Sequence, residues 1–238
     1  MTATSTAVPG TNDAKPTAAA RVAGPQVPTV TRWSGELLDP SLIVDTGPDG
    51  ARLAYREETQ ADRVNGVLVL RFTGKPGQGQ PLWNASHPGR QTRAMGGLLC
   101  RVCGAPADRT EDGVLWLLPH PTTPGGRRRT LDPCWPEGAV VEHPPICAPH
   151  ALSSPRLCRA LDGALLLRVA NAPVYGLAGL RFDTGEGGPQ APVRGQFALD
   201  SAELRWVAAT HLLRTLTGCT RMSEEHLRVE LARRGEER

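Results

Sequence analysis

The sequence predicts an α+β fold in which a small Cys/His module sits between an N-terminal β segment and a C-terminal β-hairpin plus helices. Three observations predict it. Apolar runs of strand length, such as VLVLRF, VLWLL and ALLLRVA, recur along the chain and are bounded by Gly, Pro and Asn. Near the C-terminus the apolar spacing changes to that of an amphipathic helix. Between these regions lie CRVCG at 100–104 and CAPH at 147–150, the second set among prolines.

The chain has 238 residues and is 39% apolar before its 26 glycines are counted, which is enough for a core. No window approaches the roughly 18 uninterrupted apolar residues of a membrane helix. Residues 1–28 lack the apolar stretch of a secretory signal, so a cytoplasmic protein without membrane contact is expected. In that compartment the 6 cysteines are expected to be metal ligands or buried thiols rather than disulfides. Lys plus Arg number 27 against 24 acids, spread evenly, and the one cationic run is Arg127, Arg128 and Arg129. A nucleic-acid binder concentrates its cations, so this balance favours a protein partner over DNA.

Residues 1–30 are rich in Thr, Ala and Pro with little aromatic or branched content to offset their ordering entropy, and a disordered tail is expected there. In an N-terminal segment of residues 31–98, strands are predicted at 51–57 and 67–72, paired or in one small sheet. The turns before them are supplied by Pro48, Asp49 and Gly50 and by Asn65 and Gly66. A short helix over 86–99 then leads into Cys100. Within the module, residues 99–161, a strand at 114–118 ends at Pro119, a Pro- and Gly-rich loop follows to about 143, and Ser154 with Pro155 starts a helix to 161. In the C-terminal part, residues 162–238, strands at 164–170 and 174–182 form a predicted hairpin across Asn171, Ala172 and Pro173. A Gly-rich loop occupies 186–192. A helix over 201–217 carries Leu204, Val207, Ala208, His211, Leu212 and Leu216 on one stripe and is closed by Gly218. Ser223 caps a last charged helix to about Arg234.

Cys100 and Cys103 can reach one ion only if the backbone curls between them, and Gly104 supplies the left-handed residue that such a knuckle favours. Cys147 and His150, three apart where Pro144, Pro145 and Pro149 fix the backbone, point the same way at a helix start. Three sulfurs and one imidazole complete the closed tetrahedral set that suits a structural Zn2+ ion. Cys134 and His143 are alternative contributors that the spacing leaves open. Cys158 and Cys219 read as buried small apolar side chains. Trp116, Trp135 and Trp206 are expected to pack around the module and the C-terminal helix.

The order of knuckle, strand, loop and ligand pair at a helix start resembles the treble-clef zinc finger. The resemblance implies a treble-clef-like zinc module between the flanking β segment and hairpin, with a second helix start at Ser154 because Pro155 interrupts the first. The same layout resembles the HNH endonucleases, through the strand at 114–118, His120, Gly125, Gly126, Cys147 and His150. That likeness implies His120 as general base. It fails where Pro119 replaces the usual acid and where Ala151, Leu152, Ser153 and Ser154 supply no second imidazole. No other reactive motif is present, and no catalytic residue is assigned. The expected function is therefore a zinc-stabilised binding protein, adaptor or regulator, with the nuclease as the alternative and a thiol-based sensor as a third reading.

Overall fold

The computed structural model describes residues 26–236 apart from 49, 123–126, 128, 131, 183, 186–187 and 190–191. Residues 1–25 of the expected tail and most of the Gly-rich loop at 186–192 thus lie outside the described residues. Residues 26–30 are described, and Thr29 donates its N–H to the Val102 carbonyl while Val30 is buried.

The architecture is mixed α+β and is organised around one strand, Gly113–Leu118. Every residue from Val114 to Leu118 is buried, and the alternation of a pleated strand sends them to opposite sides. Val114, Trp116 and Leu118 enter a core with Leu167, Val169, Leu177, Val207 and Leu212. Leu115 and Leu117 enter a second core with Cys100, Ile146, Ala151, Leu166 and Leu227. Gly113–Leu118 belongs to a four-stranded antiparallel sheet, flanked on one side by Leu165–Asn171 and then Thr217–Met222, and on the other by Arg109–Thr110. One face of this sheet meets a six-stranded sheet, and the other carries the Cys/His module and the C-terminal helix Glu224–Glu236.

The six-stranded sheet runs Val193–Ala198, Val174–Arg181, Val207–Thr215, Val67–Val69, Arg63–Val64, with Val140–Val141 also paired to Val207–Thr215. Two expectations are corrected here. Leu165–Asn171 and Val174–Arg181 are both strands, but they do not form a hairpin, because Asn171, Ala172 and Pro173 carry the chain from one sheet to the other. The predicted helix over 201–217 is a short 3-10 turn, Ala202–Trp206, capped by Ser201, followed by the strand Val207–Thr215. Its apolar residues fit a helical stripe, but Val207, Ala208, Ala209, Leu212 and Leu213 are all buried, as in a central strand covered on both faces. Gly218, at φ 63°, is the second residue of the Thr217–Met222 strand rather than a helix stop.

The predicted strands at 51–57 and 67–72 are found as Gly50–Tyr55 and Val67–Val69, in different sheets. Gly50–Tyr55 pairs with Leu42–Gly47, and Asn65 and Gly66 make the turn of a hairpin between Arg63–Val64 and Val67–Val69. The first predicted helix is Pro88–Gly96, with His87 rather than Ser86 as its cap. It lies on Val207–Thr215, where the buried Gln91 side chain acts as a missing strand. Its amide nitrogen donates to the Leu212 and Glu142 carbonyls and its oxygen accepts from Leu212 N–H. Trp116 and Trp135 pack in the core between the sheets with Val207, Leu212 and Leu216 of the segment expected as the C-terminal helix, and Trp206 packs instead by Leu53, Tyr55 and Leu68. No helix among the described residues is long and apolar enough to cross a membrane.

Candidate metal centre

The knuckle is built by the backbone. Cys100 N–H donates to the Ala105 carbonyl, Gly104 N–H returns to the Cys100 carbonyl, and Gly104 takes φ 75°. Arg101 N–H donates to Pro145 O, which ties the knuckle to the proline segment ahead of the second ligand pair. Cys147 is then the N-cap of the helix Ala148–Leu157, with Pro149 in its first turn, and His150 lies one turn in. This helix continues through Pro155, and Cys158 N–H closes its end on the Ser154 carbonyl. The second start expected at Ser154 is not made.

The donor atoms of Cys100, Cys103, Cys147 and His150 all lie within 4.8 Å of one another. Around a tetrahedral ion with metal–sulfur bonds of about 2.3 Å and metal–nitrogen bonds of about 2.0 Å, sulfurs stand about 3.8 Å apart and sulfur and nitrogen about 3.5 Å. Cys103 Sγ and Cys147 Sγ are 3.9 Å apart, and His150 Nδ1 is 3.8 Å from Cys100 Sγ and 3.0 Å from Cys147 Sγ. The set therefore fits a metal ion. Cys100 is fully buried and His150 nearly so.

The imidazole is oriented from behind. His150 Nε2 lies 3.2 Å from Gln26 Oε1, an acceptor that favours the tautomer with the ring proton on Nε2 and the Nδ1 lone pair towards the sulfurs. Gln26 falls in the stretch expected to be tail, and nothing in its neighbours signalled this contact.

Without a cation the three thiols cannot all ionise. Cys100 is held down to about 4 by a hydrogen bond from Cys147, with the N–H groups of Cys103, Cys147 and Val102 adding to the effect. The same thiol contact and burial push Cys147 far up, and burial raises Cys103. The buried thiols thus hold protons that a divalent ion entering the set would displace.

The remaining candidates lie elsewhere. Cys134 is exposed in its loop and His143 lines a neighbouring cavity, and neither belongs to the four-donor cluster. Cys158, expected to be buried, is exposed, whereas Cys219 is half-buried against the inter-sheet core with its thiol pushed up to about 11, mainly by burial. His120 sits beyond the end of Gly113–Leu118 with Nδ1 3.0 Å from the Pro121 carbonyl and its ring 6.2 Å from that of Trp135. Gly125, Gly126 and Arg128 lie outside the described residues, and among the described residues no second cluster of His, Cys, Asp and Glu donors forms beside His120.

No family model, curated protein or solved structure matches this chain. Three soft sulfurs and one imidazole lie close enough to hold one metal ion, and a tetrahedral ion there would meet four protein donors.

Proposed function

We propose that this chain is a zinc-stabilised binding protein, an adaptor or regulator of a reducing cytoplasm, built on a treble-clef-like module. The carrying observation is the closed Cys100, Cys103, Cys147, His150 set. Four protein donors saturate a tetrahedral zinc ion, which then holds the knuckle to the ligand helix and does not act as a Lewis acid on a substrate. Six free cysteines among the described residues suit a reducing compartment. Large apolar side chains left in solvent, Leu37, Leu38 and Val193 among them, offer contact area to a protein partner. The even charge offers little to DNA beyond the short arginine run.

Two assays test this reading. Affinity capture from native lysate, with nucleic acid digested in parallel, is expected to retain a protein that survives digestion and is lost with Leu37→Asp/Leu38→Asp. Capture that disappears on digestion would favour the nucleic-acid version. Incubation of the purified protein with supercoiled plasmid and magnesium or manganese is expected to leave the plasmid intact. Metal-dependent nicking absent in His120→Ala would establish the HNH-type nuclease with His120 as general base instead.

A further inference from the structure

A cavity of about 850 Å³ opens between the strand Thr31–Trp33, the strand Pro81–Ser86, the knuckle, the segment before the ligand helix and the face of the six-stranded sheet. Its volume suits a small-molecule ligand. Its walls are cationic. Arg32, Arg101 and Arg194 line it together with His143 and His211, and the sole carboxylate among the lining residues is Glu142.

Several guanidiniums elsewhere in this protein meet carboxylates, as in Arg90 with Glu36, Arg71 with Asp39 and Asp62, and Arg168 with Asp108. Those of the cavity do not. Arg32 has the Glu36 carbonyl and the Phe72 ring, and among the described residues Arg101 and Arg194 have no carboxylate partner or side-chain hydrogen bond. Burial first, then Arg101 and His211, hold the pKa of His143 down, and burial holds down that of His211, with Glu142 pulling it up and Arg194 down, so the positive charge of the cavity is that of its guanidiniums. His211 is held in place by Thr210, whose Oγ1 donates to the Ala178 carbonyl and lies 3.1 Å from His211 Nδ1. Concentrated positive charge in a concave, partly desolvated site costs stability unless an anion offsets it.

The cavity also has an apolar extension. A second cavity of about 470 Å³ shares Thr31, Trp83, Asn84, Arg101 and His143 with the first and continues over Pro119, Leu157 and Leu161. At the shared boundary the Trp83 side chain is 64% exposed, and Leu157 farther along is 56% exposed. A large aromatic ring left in water beside a guanidinium that has no carboxylate partner is an arrangement that can receive a planar or apolar body attached to an anionic head.

We propose that this double cleft binds an organic phosphate monoester, its dianionic head among Arg32, Arg101 and Arg194 beside His143 and its apolar or planar body on Trp83 and Leu157. Three guanidiniums against one carboxylate leave two positive charges, which a phosphate dianion matches and a carboxylate does not. The inference is independent of the protein-partner reading, since Leu37, Leu38 and Val193 line neither cavity.

Isothermal titration of the full zinc-loaded chain with phenyl phosphate, inorganic phosphate, phenylacetate and benzyl alcohol tests it. Phenyl phosphate is expected to bind at least tenfold more tightly than the other three. Arg194→Gln and Trp83→Ala alter exposed side chains, so each is expected to fold normally, checked by unchanged melting without ligand, while weakening phenyl phosphate at least tenfold. Arg109→Gln, an exposed arginine outside both cavities, is expected to change nothing. Three results would overturn the proposal: no binding of phenyl phosphate at millimolar concentration, equal or tighter binding of phenylacetate or benzyl alcohol, or binding untouched by Arg194→Gln.

Discussion

At the scale of single residues, Gln91 carries more than its type suggests. Its fully buried amide satisfies both backbone groups of Leu212 and the Glu142 carbonyl. Gln91→Leu keeps the volume and orphans those groups, so unfolding in denaturant should show a loss of about 3 kcal/mol, whereas a change under 0.5 would mean that water replaces the amide. His143 makes a different prediction. Burial first, then Arg101 and His211, hold its pKa down to about 3. An unfolded chain takes up that proton near pH 6.5 and the native protein does not, so the stability is full above that pH and is lost as pH falls towards 3. With zinc in excess, the melting temperature of the wild type should therefore fall more steeply from pH 7 to pH 5 than that of His143→Gln, and parallel curves would contradict the assignment. The four donors were legible in the sequence because ligand chemistry and local spacing fix them. Gln26 and Gln91 were not, since each depends on a contact between distant segments.

At the scale of elements, the strand Leu165–Asn171 and the C-terminal helix are joined through charge. Arg168 is 2% exposed and contacts Asp108 and Glu230, while Arg234 contacts the same two carboxylates. Removing one partner of a buried network leaves charge uncompensated. Glu230→Ala should therefore cost about 2 kcal/mol and raise hydrogen exchange in Glu224–Glu236. Arg233→Ala, at an exposed position of the same helix, should be neutral within about 0.5 kcal/mol. The helix and its Ser223 cap were readable from local signals, as were Pro88–Gly96 and Gly113–Leu118. Val207–Thr215 was not. A strand covered on both faces loses the two-residue alternation, and its apolar residues can then fall by chance at helical intervals. The hairpin expectation failed for a related reason: Asn171, Ala172 and Pro173 look like a turn locally, and only the pairing of Leu165–Asn171 with Gly113–Leu118 shows that they cross between sheets.

At the scale of the whole molecule, Gly113–Leu118 couples the metal centre to the rest of the fold. Leu115 and Leu117 pack with Cys100 and Ile146, while Trp116 in the same strand packs between the sheets and donates to the His143 carbonyl. With an ion bound there, its loss would free the knuckle and remove one wall of a core whose other wall is the four-stranded sheet. Cys147→Ser should accordingly yield protease-sensitive or insoluble protein, and Cys134→Ser, at an exposed thiol outside the cluster, should yield normal protein. Full stability of Cys147→Ser would show that the metal is not structural.

The centre itself is tested most directly by zinc X-ray absorption on protein purified without chelator. One zinc per chain should show three sulfurs at about 2.3 Å and one nitrogen at about 2.0 Å, with no exchangeable oxygen. Metal-free protein, or a shell with fewer than three sulfurs and a bound water, would contradict a closed centre made by Cys100, Cys103, Cys147 and His150.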